Sequence, residues 1–219
     1  ATKDAVRYFK EGIGGHHRRD VGRLWRKLER EGDLKYEIAR NSEDVRHPME
    51  EFLLLENGRW RGRQRTALAS DRYRAAFARE AINSLAHVDK CRIHCISFNG
   101  KVIASLIVFV ENGRAWTWKT AYDEAFRTYS PGKLLMVKAT ETLLDDPNIQ
   151  FADSCAPQGH SMMEHLWQER RETVTLVIGL DISKDRDVRQ AAAQMDLYSR
   201  TKQTAKDVHI RIRNLMNRL

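Results

Sequence analysis

Two rhythms of apolar positions divide this chain. Between Gly15 and Gly32, Val21, Leu24, Trp25 and Leu28 recur at helical spacing, which predicts an amphipathic helix. Residues 34–40 alternate weakly and predict a short strand. Ser42 is then placed as the N-cap of a helix carrying Val45, Met49, Phe52 and Leu53 on one side, with Pro48 bending that helix or marking its start. Residues 58–70 read as a loop, and Asp71 is placed as the cap of a helix whose inner face is Tyr73, Phe77, Ala81, Leu85 and Val88.

At residue 91 the period changes to that of strands. Residues 91–98, 101–110 and 114–122 are joined by Asn99-Gly100 and Asn112-Gly113, and Asn-Gly is the dipeptide that two-residue hairpin turns favour most. These segments predict a β-meander. Its middle strand is apolar on both faces, so helices should cover both sides of the sheet. After the meander, Ser130-Pro131-Gly132 opens a helix to about Asp145. Residues 149–154 predict a strand, 159–167 a short helix and 172–180 a last strand. From Ser183 onward Val188, Ala192, Met195, Tyr198, Ala205, Val208, Ile212, Leu215 and Leu219 step by three or four, giving one long amphipathic helix. The fold class is α/β, a mixed sheet with a central antiparallel meander flanked by helices.

Composition narrows the setting. The chain has 219 residues, 42% hydrophobic and 31% charged, which is enough apolar material for a packed core. No apolar run approaches the ~20 residues of a membrane-spanning helix. The cysteines, Cys91, Cys95 and Cys155, are odd in number and follow no secretory signal, so a reducing cytoplasm is the expected compartment. Lys plus Arg total 38 against 30 for Asp plus Glu, and the net charge of +8 favours polyanionic partners. Arg18, Arg19, Arg23, Arg26, Lys27 and Arg30 lie on or near the first helix, and Arg59, Arg61, Arg63 and Arg65 surround Trp60. Without an aromatic interleaved to stack bases, the helical run reads first as a solvated cationic face and second as a nucleic-acid contact.

The helix opened by Ser130 is the clearest candidate site. With Ser130 as N-cap and Pro131 at the first position, the N–H groups of the first turn, including Gly132 and Lys133, are expected to lack intrahelical partners. That makes an anion site, and a cation at Lys133, where the helix dipole prefers an acid, fits a bound anion such as a pyrophosphate. His160 to His165 reads H-x-x-x-E-H, one residue longer than the zinc-binding H-x-x-E-H, so no metal site is assigned. Cys91 and Cys95 read as buried free thiols.

Phe52 to Trp60, with Glu56-Asn57-Gly58, Asn99 to Ala104, Ala121-Tyr122-Asp123 with Ser130-Pro131-Gly132, Phe151-Ala152-Asp153 and residues 159–167 occur in an order that resembles the cellulose-biosynthesis-type acetyltransferases of the GNAT superfamily. Those proteins are similar to the FemABX-type tandem transferases. The resemblance implies a GNAT fold over residues 33–182, a basic connector at 1–32 and an appended helix at 183–219. It implies an acyl-CoA co-substrate, acetyl-CoA or another, an amine acceptor and no metal. By this resemblance Ser130, Gly132, Lys133 and Arg127 hold the coenzyme. Asp153, Tyr122 and Asp123 are the candidate proton-handling groups and Trp60 and Trp118 the candidate substrate-binding aromatics. By strand alternation Trp116 and Trp118 are expected on one face with Tyr122. Family members carry a further GNAT half before the first helix, so the chain is expected to be a C-terminal piece whose partner is that half, or to pair with a second copy. Where family members have a Tyr-Lys pair after the glycine near 159, this chain has Met163-Glu164. The alternatives are an aminoacyl-tRNA-using transferase, with tRNA as partner, and a basic nucleic-acid-binding domain without catalysis.

Overall fold

The computed structural model describes residues 8, 15–58, 66–157 and 159–216. It divides into two compact units, Ala1–Glu169 and Arg170–Leu219.

The first unit is built on a five-stranded sheet in the order β1-β2-β3-β4-β5. The strands are β1 Leu34–Ala39, β2 Cys91–Phe98, β3 Lys101–Glu111, β4 Arg114–Tyr122 and β5 Phe151–Asp153. The first four run antiparallel to their neighbours and β5 lies parallel to β4. Both Asn-Gly turns form as expected: Asn99 and Gly100 have φ of 50° and 78°, Asn112 and Gly113 of 48° and 73°. Positive φ at both central positions is what the I′ hairpin turn demands.

Helices α1 Gly15–Glu31 and α4 Pro131–Asp145 contribute Leu24, Leu28, Leu134, Leu135 and Ala139 to a core with Ile96, Leu106 and Val108. Helices α2 Arg46–Asn57 and α3 Arg72–His87 contribute Phe52, Leu53, Ala78 and Ile82 to a second core with Cys91, Ile93, Cys95 and Ile107. Residues of β3 enter both cores, which places it inside the sheet with apolar side chains on each face.

Three local expectations are corrected. Ser42 is not the cap of α2, which begins at Arg46 with Val45 before it, and the Asn41 side chain instead accepts the Glu43 and Asp44 N–H groups to make the preceding turn. Asp71 does cap α3, accepting from Tyr73 and Arg74 N–H, but the helix is rotated from the expected phase. Tyr73 and Phe77 are 70% and 71% exposed, whereas Ala78 and Ile82 are each 1% exposed. This helix carries two overlapping stripes, and the one containing Ala75, Ala78 and Ala86 packs inward because small side chains let the backbone approach its neighbours closely. Residues 172–180 form no strand, and Val174, Leu176 and Ile178 are exposed. Their alternation defines a face, yet a strand exists only with a ladder partner. The second unit holds the long helix α6 Asp185–Met216, which follows α5 Met163–Leu166 of the first.

A polar chain runs beneath the middle of α4. Thr142 Oγ1 donates to Lys138 O at 3.0 Å, Tyr36 OH lies 3.0 Å from Thr142 Oγ1, and His94 Nδ1 lies 2.6 Å from Tyr36 OH. Each proton is used once if His94 Nδ1–H donates to Tyr36, Tyr36 to Thr142 and Thr142 to the helix carbonyl. His94 is fully buried, and burial together with the nearby Arg92 and Arg40 charges lowers its pKa to about 3. Burial pushes the Tyr36 phenol up to about 12. Both groups are therefore neutral across the physiological range.

Candidate active-site cleft

A parting of two strands creates the site. The β4–β5 ladder has three pairs, Arg114↔Phe151, Ala115↔Ala152 and Trp116↔Asp153. Beyond them Thr117 Oγ1 donates to Ser154 O at 2.8 Å, and there the strands separate. The gap is a cleft of about 780 Å³ lined by Thr117 to Thr120 and Tyr122 of β4, Ser154 to Pro157 after β5, His160 to Met163 and His165 around α5, and Arg127, Ser130, Gly132 and Lys133. Its size is within the usual ~300–1,000 Å³ of ligand pockets.

One wall carries a β-bulge. The β3–β4 register shifts between Ile107 and Val108, which pair with Lys119 and Thr117, so Trp118 is the extra residue. A bulge interrupts the ladder and leaves backbone polar groups unpaired. It also reverses the alternation: Trp116 pairs with Phe109, which packs against the α2/α3 core, while Tyr122 pairs with Ala104 of the α1/α4 core. The expected common face of Trp116, Trp118 and Tyr122 is thereby corrected. Trp118 is 39% exposed, and its ring lies 5.6 Å from that of Phe109. Next to it, Lys119 Nζ is 2.6 Å from Oε1 of the buried Glu56, whose other oxygen accepts the Leu68 N–H.

At the other end of the cleft is the start of α4. Ser130 occupies the N-cap position in a left-handed conformation, φ 51° and ψ 53°, and its side chain makes no capping hydrogen bond, contrary to expectation. Its carbonyl instead accepts from both Lys133 N–H (2.9 Å) and Leu134 N–H (3.1 Å). Pro131 has no N–H, so in the first turn the Gly132 N–H is the donor without a backbone partner among the described residues. The expectation of several free donors thus reduces to one. A Cβ on Gly132 would stand 3.2 Å from Tyr122 Cδ1, so glycine also seats the helix against the tyrosine ring. Lys133 lies 3.5 Å from Asp20 of α1, which compensates part of its charge. The Arg23 guanidinium, followed by Lys133, holds the Asp20 carboxyl below its usual range. With Arg127 on the same rim, one free amide and two cations make this end suited to a phosphate.

The structure brings Tyr122, Trp118, Arg127, Ser130, Gly132 and Lys133 together in the cleft. Asp153 and Asp123 are not among its lining residues. Asp153 Oδ1 accepts the Cys155 N–H at 2.7 Å, an Asx turn at the end of β5. Asp123 binds Lys101 at 2.7 Å and caps the following turn through Ala125 N–H; the Lys101 ammonium, with that amide, holds its carboxyl below the usual range. Trp60 lies outside the described residues. Sequence reasoning missed Thr117, Lys119, Ser154, Cys155 and His160 as cleft residues, because the wall they form exists only where two strands part.

A strand pair that opens into a cleft at the start of a helix, on a mixed sheet covered by helices on both faces, defines the acyltransferase class that the sequence resembles. The family model for the acetyltransferase (GNAT) domain matches residues 15–155, and the chain belongs to that family of enzymes. No curated protein sequence matches the chain. Among solved structures, it is similar to an aminoglycoside acetyltransferase from an uncultured soil metagenomic sample, in complex with sisomicin, at 14% identity over 68% of this chain and 97% of that one, with a TM-score of 0.46. It is also similar to a possible acetyltransferase from Clostridium difficile 630, at 16% identity over 67% and 99%, with a TM-score of 0.47. A third similar structure is the aminoglycoside antibiotic 6'-N-acetyltransferase AAC(6')-IG from Acinetobacter haemolyticus, at 17% identity over 67% and 99%, with a TM-score of 0.47. No helix of the described residues is long and apolar enough to cross a membrane.

Proposed function

We propose that this chain transfers an acyl group from coenzyme A to an amine within the β4–β5 cleft. The observation that carries the reading is the parting of the two strands at Thr117 and Ser154, at a cleft that also contains the cation-flanked start of α4. The residues present fit a phosphorylated thioester: a free Gly132 N–H, Arg127 and Lys133 at one end, and the interrupted ladder at Trp118 along the wall. The thioester supplies an activated carbonyl. Gly132, Arg127 and Lys133 would hold its pyrophosphate, and a main-chain N–H released from the ladder at the bulge would donate to the carbonyl oxygen, where charge develops on attack. Trp118 borders the space left for the acceptor, while Tyr122 lies against Gly132 at the phosphate end. Neither Asp153 nor Asp123 is used in this scheme, since each is engaged in local structure.

The order of motifs supports a place near the cellulose-biosynthesis-type and FemABX-type members, with a preceding GNAT half or a second copy completing the acceptor side. A reading in which the donor is an aminoacyl-tRNA is supported by a separate observation. Arg19, Arg23, Arg26, Lys27 and Arg30 are exposed on α1, and this helix meets the cleft lining through Asp20, which lies 3.5 Å from Lys133. Incubation with acetyl-CoA and a panel of amino sugars, polyamines and lysine peptides, read by release of free CoA thiol and by mass of the product, tests the first reading. Salt-sensitive tRNA binding without CoA affinity would select the second.

A further inference from the structure

The loop between β5 and α5 carries a histidine whose ring nitrogens are in different situations. His160 lines the cleft, and its Nδ1 accepts the Met163 N–H at 3.3 Å. An imidazole nitrogen that accepts from a backbone amide carries no proton, so in the neutral ring the proton is on Nε2. With Nδ1 turned to the backbone of α5, Nε2–H is the donor this cleft-lining side chain has left to offer. The loop also fixes this residue at its backbone. His160 N–H donates to Pro157 O at 3.2 Å, and its carbonyl accepts from Glu164 N–H at 3.0 Å. Glu164 Oε1 in turn accepts the Gly159 N–H at 3.0 Å, where the chain turns at φ 76°. A donor held in this way needs no reorganisation at the moment of reaction.

Resting on the acyl-CoA reading above, we propose that His160 is a catalytic hydrogen-bond donor to the sulfur of the departing coenzyme, acting from the wall opposite β4. In the transfer the amine lone pair forms the new C–N bond. Collapse of the adduct breaks the C–S bond, the electron pair goes to sulfur, and the surplus amine proton passes to solvent. His160 keeps its own proton. Negative charge reaches the sulfur only as the bond breaks, so this contact stabilises the transition state more than the bound thioester. Tyr122 serves the other end of the cleft, where its ring packs on Gly132.

Two isosteres separate this role from a purely structural one. In His160→Asn the amide oxygen takes the place of Nδ1 and keeps the bond to Met163 N–H, but nothing replaces the Nε2–H. In His160→Gln the amide nitrogen reaches the Nε2 position and the bond to Met163 is given up. The readout is the titration of the thiol of bound CoA, followed by the ultraviolet absorbance of its thiolate as a difference from the CoA-free protein. A charge-assisted donor should bring that titration about one pH unit lower in the parent than in His160→Asn, with His160→Gln close to the parent. Equal titration in the parent and His160→Asn, or a displacement by His160→Gln as large as that by Asn, overturns the assignment. A parent chain that binds no CoA in calorimetry removes the acyl-CoA reading as well, whereas equal CoA binding by all three with coincident titrations removes the His160 role alone.

Discussion

Acid should weaken this fold by a predictable amount through one residue. His94 is buried beneath α4 with a pKa lowered to about 3, against ~6.5 in the unfolded chain. A base whose folded pKa is depressed leaves the folded state intact above ~6.5 and withdraws stability as the pH falls, because the unfolded chain binds the proton first. Each pH unit below ~6.5 then removes ~1.4 kcal/mol, so the step from about pH 7 to about pH 5 should cost ~2 kcal/mol from His94 alone. For a chain of this size that is a fall of ~4–8 °C in Tm. Carboxylates titrate in the same range, so the measurement is a difference. Urea unfolding at both pH values is compared between the parent and His94→Asn, whose side-chain amide takes the place of Nδ1 beside Tyr36 without a titrating ring. His94→Asn lowers stability at each pH by loosening the core, but its loss between the two should be smaller than that of the parent by ~2 kcal/mol. The same pH dependence in both proteins would refute the buried neutral imidazole.

Three predictions concern the cleft. Cys155 is exposed and lines it, while burial pushes Cys91 and Cys95 up to about 12 and about 11, so iodoacetamide should label Cys155 alone and saturating CoA should slow that labelling at least about tenfold; intact-mass kinetics unaffected by CoA would contradict the site. Gly132→Ala should weaken CoA binding about tenfold by displacing the Tyr122 ring, at a stability change of ~1 kcal/mol or less because helix propensity offsets the crowding; recovery of affinity in the double variant with Tyr122→Ala, measured by calorimetry, checks the cause. Asp153→Asn should keep turnover and stability, since the amide oxygen still accepts the Cys155 N–H, whereas Asp153→Ala should lose ~1 kcal/mol; a ~10²-fold fall in turnover for Asn would return this carboxylate to the chemistry.

What was legible in the sequence was local. The meander followed from Asn99-Gly100 and Asn112-Gly113, because the I′ turn is a demand on two residues alone. The start of α4 followed from Ser130-Pro131-Gly132, although the carbonyl of Ser130 rather than its hydroxyl satisfies the first turn. Features set by a neighbour were not legible. The bulge at Trp118 depends on the register against β3, and it moved Trp116 to the face opposite Tyr122. The packing face of α3 depends on how closely it approaches its neighbours, which favoured Ala78 over Phe77. The cleft itself arises where β5 ends and β4 continues, so a strand-borne carboxylate such as Asp153 looked poised for chemistry while its side chain was committed to the Cys155 turn.

The most direct test of the account is calorimetric titration of CoA into the parent chain and into Lys133→Ala. The phosphate site at the start of α4 predicts saturable binding by the parent, with affinity lowered about tenfold in Lys133→Ala, the ~1.4 kcal/mol of one partly exposed charge-assisted contact. Heats that show no CoA binding by the parent, or the same affinity in both proteins, would contradict the assignment of this cleft to an acyl-CoA.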